Sequence, residues 1–127
     1  MASESAPKTI LICDDEVHVR QVMTYKLGAA GYLTQTASDG QEGYDMAREL
    51  KPDLILSDFK MPRCDGLQMV RKLAEDPVTR GIPIIMVTSR DFDVSPQDIE
   101  GTGVKHVLNK PFSPAQVVKL VTGLLPP

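Results

Sequence analysis

The chain is short of positive charge, of cysteine and of long apolar runs, and each shortage removes a class of function. Fourteen lysines and arginines stand against seventeen aspartates and glutamates, a formal net charge of −3. That balance argues against a surface built to neutralise nucleic-acid phosphates, so no direct nucleic-acid contact is expected. The two cysteines, Cys13 inside an apolar run and Cys64 in a polar loop, make neither a metal-ligand spacing nor a disulfide framework, which fits free thiols in a reducing compartment. No stretch approaches the ~20 apolar residues that span a bilayer, and residues 1–7 hold no apolar core of a secretion signal. A cytoplasmic location without membrane contact is the expectation. Internal repeats, low-complexity tracts and interdomain linkers are missing as well.

What is present is a pattern. The 127 residues, 42% apolar and 24% charged, suit one domain with one core, its ordered part running from about residue 8 to 125. Apolar runs alternate with longer amphipathic stretches, the signature of βα units around a parallel sheet. Five units fit, with strands at Thr9 to Cys13, Leu33 to Ala37, Leu54 to Ser57, Ile84 to Val87 and Val104 to Leu108, all but the second reading as buried on both faces.

The first helix is expected from Glu16 to Ala30, since Val19, Val22, Met23, Leu27 and Ala30 recur at helical spacing and Gly31 can end it in a left-handed cap. Ser38 or Asp39 caps a second helix whose apolar positions include Tyr44, Met46, Ala47 and Leu50, and Pro52 stops it. Asp65-Gly66 leads into a third through Leu67, Met69, Val70 and Leu73. Ser113-Pro114 opens the last, with Val117, Val118, Leu120, Val121 and Leu124. Between Ser89 and Gly103 the anchors are only Phe92, Val94 and Ile99, interrupted by Pro96, Gly101 and Gly103, so the fourth helix is short.

Polar residues follow four of the five strands: Asp14-Asp15, Asp58, Thr88 and Lys110. In a doubly wound sheet of order 2-1-3-4-5 those four strands are neighbours, and the crevice beyond their carboxyl ends is where such sheets bind ligands. The third and fifth strands then lie roughly 10 Å apart, a gap the stem of Lys110 can largely cross to reach Asp58. A carboxylate closing the apolar run Leu54-Ile55-Leu56-Ser57 is costly unless a metal, a donor or a reaction engages it. Three carboxylates within about 5 Å repel pairwise by roughly 3 kcal/mol at an effective dielectric near 20. They need a cation, and oxygen-only ligands favour a hard one, with Mg²⁺ the usual occupant of a small, partly hydrated carboxylate site. A metal beside an exposed carboxylate, with a lysine and a hydroxyl aimed at the same point, is equipment for phosphoryl transfer to that carboxylate.

Four motifs together resemble the response-regulator receiver domain of two-component signalling, a flavodoxin-like (βα)5 fold. They are Cys13-Asp14-Asp15-Glu16, Asp58-x-x-Met61-Pro62-x-x-Asp65-Gly66, Val87-Thr88-Ser89 and Lys110-Pro111-Phe112. The likeness runs from about Lys8 to Leu125, and in length the chain resembles single-domain chemotaxis regulators. It implies that Asp58 takes a phosphoryl group from a histidine kinase or phosphotransfer protein. It also implies that Asp15, Asp58 and the backbone carbonyl of Lys60 ligate Mg²⁺, and that Asp14 holds a metal-bound water. Thr88 and Lys110 would contact the phosphoryl oxygens, with backbone N–H groups near Lys60 and Ser89 beside them, and Lys60 and Arg90 would tune hydrolysis. A cis Lys110-Pro111 bond follows by the same likeness. The chain would then catalyse only its own phosphorylation and dephosphorylation, and would signal through a downstream protein or onward relay. Its oligomeric state stays open, a homodimer included.

Plainer roles fit the remaining polar residues: Glu16 as a favourable charge in the first helical turn, Asp65 as a turn or cap residue, and His18 and His106 as surface or structural groups. Val107 departs from the family, which usually carries an aromatic three positions before the lysine; valine has few rotamers and no polar tip. Three rivals stand beside this reading. A flavodoxin-like cofactor binder needs a phosphate loop where Asp14-Asp15-Glu16 would repel an anion. A haloacid-dehalogenase-type phosphatase needs Asp-x-Asp after the first strand, where this chain has Asp14-x-Glu16. The third is a receiver-like interaction scaffold that does not switch.

Overall fold

A computed structural model of the protein describes residues 7–61, 64–88 and 95–127. Among the described residues five strands alternate with five helices: β1 (Thr9–Cys13), α1 (Val17–Ala29), β2 (Leu33–Ala37), α2 (Gly40–Leu50), β3 (Leu54–Asp58), α3 (Gly66–Glu75), β4 (Ile84–Thr88), α4 (Pro96–Ile99), β5 (Val104–Asn109) and α5 (Pro114–Leu124). All pairings are parallel, in the order β2-β1-β3-β4-β5. This is the flavodoxin-like order expected from the alternation of the sequence.

Residue parity along each strand sorts the core into two layers. Leu11, Cys13, Ile55, Ile84 and Met86 pack with Ala47 of α2 and with Met69, Val70 and Leu73 of α3. Ile10, Ile12, Leu54, Leu56, Ile85 and Val87 pack on the opposite face with Met23 and Leu27 of α1 and Val117 and Val121 of α5. Alternate side chains of a strand point to opposite faces, so covering both faces is what makes successive residues apolar along most of β1, β3 and β4.

Local chemistry sets the helix ends. Asp39 caps α2 by accepting from the Glu42 N–H at 2.8 Å, while Glu42 Oε1 accepts from the Ser38 N–H at 2.7 Å. Lys51 turns left-handed after it, at φ 50°. Asp65 and Gln68 form a reciprocal capping box on α3, and Ser95 and Asp98 form another on α4. Gly31, at φ 104°, follows α1 as its spacing predicts.

Two expectations are corrected. β5 is not buried on both faces: its six residues are half-buried or exposed, because it is an edge strand with only β4 beside it. A register shift between Ile84/Ile85 and Val104/His106 passes over Lys105, and this bulge sends Val104 and Val107 to one layer and Leu108 to the other. Leu50, expected on the apolar face of α2, is 39% exposed at the last residue of the helix. The fourth helix is a single turn, as its proline and glycines imply, and Ile99 packs on the first layer. Phe92 and Val94 lie outside the described residues, as do Ser89 and Arg90.

Gly66 stands where the chain leaving β3 meets α3. Its N–H donates to the Phe59 carbonyl at 2.7 Å, and a Cβ there would come within 2.3 Å of the Asp58 carbonyl oxygen. Two backbone segments cannot separate without moving Asp58. Gly66→Ala is expected to cost about 2–3 kcal/mol by overpacking, read as a lower urea midpoint; a midpoint unchanged from wild type would contradict the contact.

Candidate functional site

The parallel ladder delivers four side chains to one rim. Asp58 is the last residue of β3 and is held between β1 and β4, in register with Val87; the next N–H, of Phe59, donates to the Val87 carbonyl at 2.7 Å. Asp14 follows β1 directly, its N–H donating to the Ala37 carbonyl of β2 at 3.1 Å. Thr88 ends β4 fully buried, and its carbonyl accepts from the Lys110 N–H at 2.7 Å. That bond ties the turn after β5 to the rim. The Lys110-Pro111 peptide is cis, as the family likeness implies.

Side chains then converge. Oxygens of Asp14, Asp15 and Asp58 lie within 4.8 Å of one another. Lys110 Nζ sits 3.3 Å from Asp58 Oδ1, 3.7 Å from Glu16 Oε1 and 4.0 Å from Asp14 Oδ2. Lys60 occupies the loop two residues beyond β3 and is exposed. Asp14 and Asp58 are only 4% and 6% exposed, whereas Asp15 is open to solvent. A nearly closed pair with one solvent-facing partner leaves a side from which an ion or an anion can enter.

Burial dominates the electrostatics. It pushes Asp14 from its ordinary 3.8 up to about 6; a hydrogen bond from the Glu16 N–H opposes this, the Asp58 carboxylate adds to it, and Lys110 offsets part. Burial likewise holds Asp58 above the usual carboxylate range, against the pull of Lys110. For Lys110 burial works downward, but the Asp58, Asp14 and Glu16 carboxylates outweigh it and leave the ammonium harder to deprotonate than usual. Burial raises the neighbouring Cys13 thiol, helped by Glu42, Asp14 and Asp39. Cys13 therefore stays a neutral core residue and not a metal ligand.

These residues fit a small hard cation. The donors are all carboxylate oxygens, two of them are costly to ionise without a counter-charge, and among the described residues no other group of three acidic, histidine or cysteine side chains could hold a metal. Two contributors escaped the sequence reading. Glu16 is the N-cap residue of α1 yet makes no side-chain cap bond; its side chain, 62% exposed, turns to Lys110 instead. Arg20, one turn into α1, donates from Nη1 to the Asp14 carbonyl at 2.7 Å. Asp65 proves to be a cap, and His18 and His106 are exposed and not part of the carboxylate cluster.

A family model described as the response regulator receiver domain matches residues 10–122. The phosphate regulon transcriptional regulatory protein PhoB of Pseudomonas aeruginosa is 38% identical over 119 residues, which cover 93% of this chain and 52% of that protein. The alkaline phosphatase synthesis transcriptional regulatory protein PhoP of Bacillus subtilis is 35% identical over 118 residues, covering 93% and 48%. The chain thus spans about half the length of the curated relatives it matches. The solved chemotaxis response regulator CheY4 of Vibrio cholerae superposes with a TM-score of 0.85 at 30% identity, covering 94% of this chain and 100% of that one. The receiver domain of the sensor histidine kinase PA1611 of Pseudomonas aeruginosa, solved with a magnesium ion coordinated in its active-site cleft, gives 0.83 at 25% identity, covering 94% and 98%. With nearly its whole length matched and its strands in the receiver order, the chain belongs to the response regulator receiver domain family of two-component signalling.

Proposed function

We propose that the chain is a phosphorylation-dependent switch or relay, in which Asp58 accepts a phosphoryl group from a phosphohistidine of a sensor histidine kinase or phosphotransfer protein. The observation that carries this reading is the meeting of Asp14, Asp15 and Asp58 with Lys110 at the carboxyl rim of the sheet. A carboxylate oxygen of Asp58 attacks phosphorus, and its O–P bond forms as the P–N bond to the donor imidazole breaks. The electron pair of that bond stays on the imidazole nitrogen.

Mg²⁺ held by Asp15, Asp58 and the Lys60 carbonyl, with Asp14 holding a metal-bound water, would supply the positive charge that lets an anionic phosphoryl group approach three carboxylates. Lys110, already 3.3 Å from Asp58 Oδ1, pairs with a phosphoryl oxygen as charge arrives there. Thr88 donates its hydroxyl to another. The parts given to Thr88 and to the Lys60 carbonyl rest on the family likeness. Hydrolysis of the acyl phosphate uses the same groups with water as the nucleophile, so the chemistry is self-catalysed and consumes no external phosphoester. Residues 8–125 act as one receiver unit in the cytoplasm, and the signal leaves through a protein partner.

Incubation with Mg²⁺ and acetyl phosphate is expected to add one phosphoryl mass to the intact chain, and Asp58→Asn to abolish the addition. Unchanged labelling of Asp58→Asn would point to a different acceptor.

A further inference from the structure

We infer that Arg20 is a positioning residue for the metal site: its guanidinium clamps the peptide between Asp14 and Asp15 and so sets where the Asp15 carboxylate stands. The inference rests on the Mg²⁺ reading above and concerns a residue that touches neither the ion nor the phosphoryl group.

Three hydrogen bonds fix the backbone and side chain of Asp14. Its N–H donates to the Ala37 carbonyl at 3.1 Å, its Oδ1 accepts from the Glu16 N–H at 2.9 Å, and its carbonyl accepts from Arg20 Nη1 at 2.7 Å. The third contact differs in what it controls. A peptide unit is planar and rigid, so holding the carbonyl oxygen of residue 14 also orients the N–H and Cα of residue 15. Asp14 is nearly closed off by the core around it, whereas Asp15 is exposed, and exposed side chains lack the packing that fixes a rotamer and a backbone angle. The carboxylate least supported by burial is thus supported through its peptide, by a charge-assisted bond of the stronger kind.

Arg20 is itself well placed to hold. It lies on the first turn of α1, with its own N–H bonded to the Glu16 carbonyl at 3.2 Å, and it is half-buried. Its planar fork gives the bond a direction that a flexible ammonium lacks.

A clamp and a bare charge make opposite forecasts. As a cation bonded to the Asp14 carbonyl, Arg20 repels Mg²⁺ held beside it, so removing its charge would tighten metal binding if the field were its whole effect. As a clamp, its removal loosens Asp15 and weakens binding, by about tenfold if the loss is at the low end of that for groups orienting metal ligands.

The test is Mg²⁺ titration by calorimetry of the full chain, with no phosphodonor present, on wild type, Arg20→Met and Arg20→Lys. The clamp predicts a Kd about tenfold weaker in Arg20→Met, and a weaker Kd in Arg20→Lys as well, although the charge is kept. A Kd equal to or tighter than wild type in Arg20→Met overturns the clamp while leaving the metal reading standing. Should Arg20→Met not fold, as read by its melting without metal, Arg20→Lys decides alone: a wild-type Kd there overturns the clamp. A wild-type chain that takes up no Mg²⁺ overturns the metal reading and the clamp together.

Discussion

Lys110→Met is expected to slow Mg²⁺-dependent phosphorylation of the chain by acetyl phosphate about 10²–10³-fold, the cost of losing one donor aimed at developing charge. Methionine keeps much of the stem and removes only the ammonium, which now stands 3.3 Å from Asp58 Oδ1 and within 4.0 Å of Asp14 and Glu16. A stability signature should accompany the kinetic one. Burial already lifts Asp14 and Asp58, and Lys110 counters part of that lift, so without it both carboxyls titrate higher still. A carboxyl raised on folding binds more protons in the folded than in the unfolded chain, and stability falls as pH rises through that window. The variant's deficit in urea unfolding is therefore expected to be larger at pH 7 than at pH 5. A phosphorylation rate within a few-fold of wild type, or a deficit independent of pH, would remove Lys110 from the role assigned to it.

The second large effect is expected from the metal itself. A ligand that prefers the native state stabilises by about 2.7 kcal/mol at a hundred times its Kd, which for a domain of this size is roughly a 10 °C rise in Tm. The sign with pH follows from Asp14, raised from 3.8 to about 6. Below its unfolded value it is protonated in both states; between the two values the folded chain holds the extra proton; above about 6 folding must bury a charge. The metal-free chain should thus lose stability as pH rises from 4 to beyond 6, and Mg²⁺, which competes with that proton, should raise Tm more at pH 7 than at pH 5. Asp15→Asn should blunt the shift at both. An Asp15→Asn shift equal to wild type would take Asp15 out of the metal shell.

Much of this site was legible because the signals that encode it are local. Short apolar runs mark β1, β3 and β4, and the residues ending them, Asp14, Asp58 and Thr88, reach the same rim in any parallel sheet that makes those strands neighbours. Capping side chains marked α3 and α5 as clearly. The misses are contacts that strand order and side-chain rotamers decide. The exposure of β5 depends on its edge position, and the bulge at Lys105 that re-phases it leaves no mark in the alternation of Val104 to Leu108. Glu16 reads as a helix-start charge from spacing alone, because its pairing with Lys110 joins residues 94 positions apart. Arg20 looks like an ordinary exposed-face arginine until its reach back to the Asp14 carbonyl is seen. Val107 departs from the family pattern, and it packs half-buried against the first core layer, where an aliphatic side chain has no polar tip to redirect when Asp58 is modified.

Borohydride reduction after phosphorylation tests the central claim most directly, since it converts an aspartyl phosphate to homoserine and marks the residue that carried the group. After incubation with Mg²⁺ and acetyl phosphate, peptide sequencing by mass spectrometry should find homoserine at position 58, and none there when the metal is chelated first. Homoserine at position 14 or 15 in place of 58, or at no position, would contradict the account.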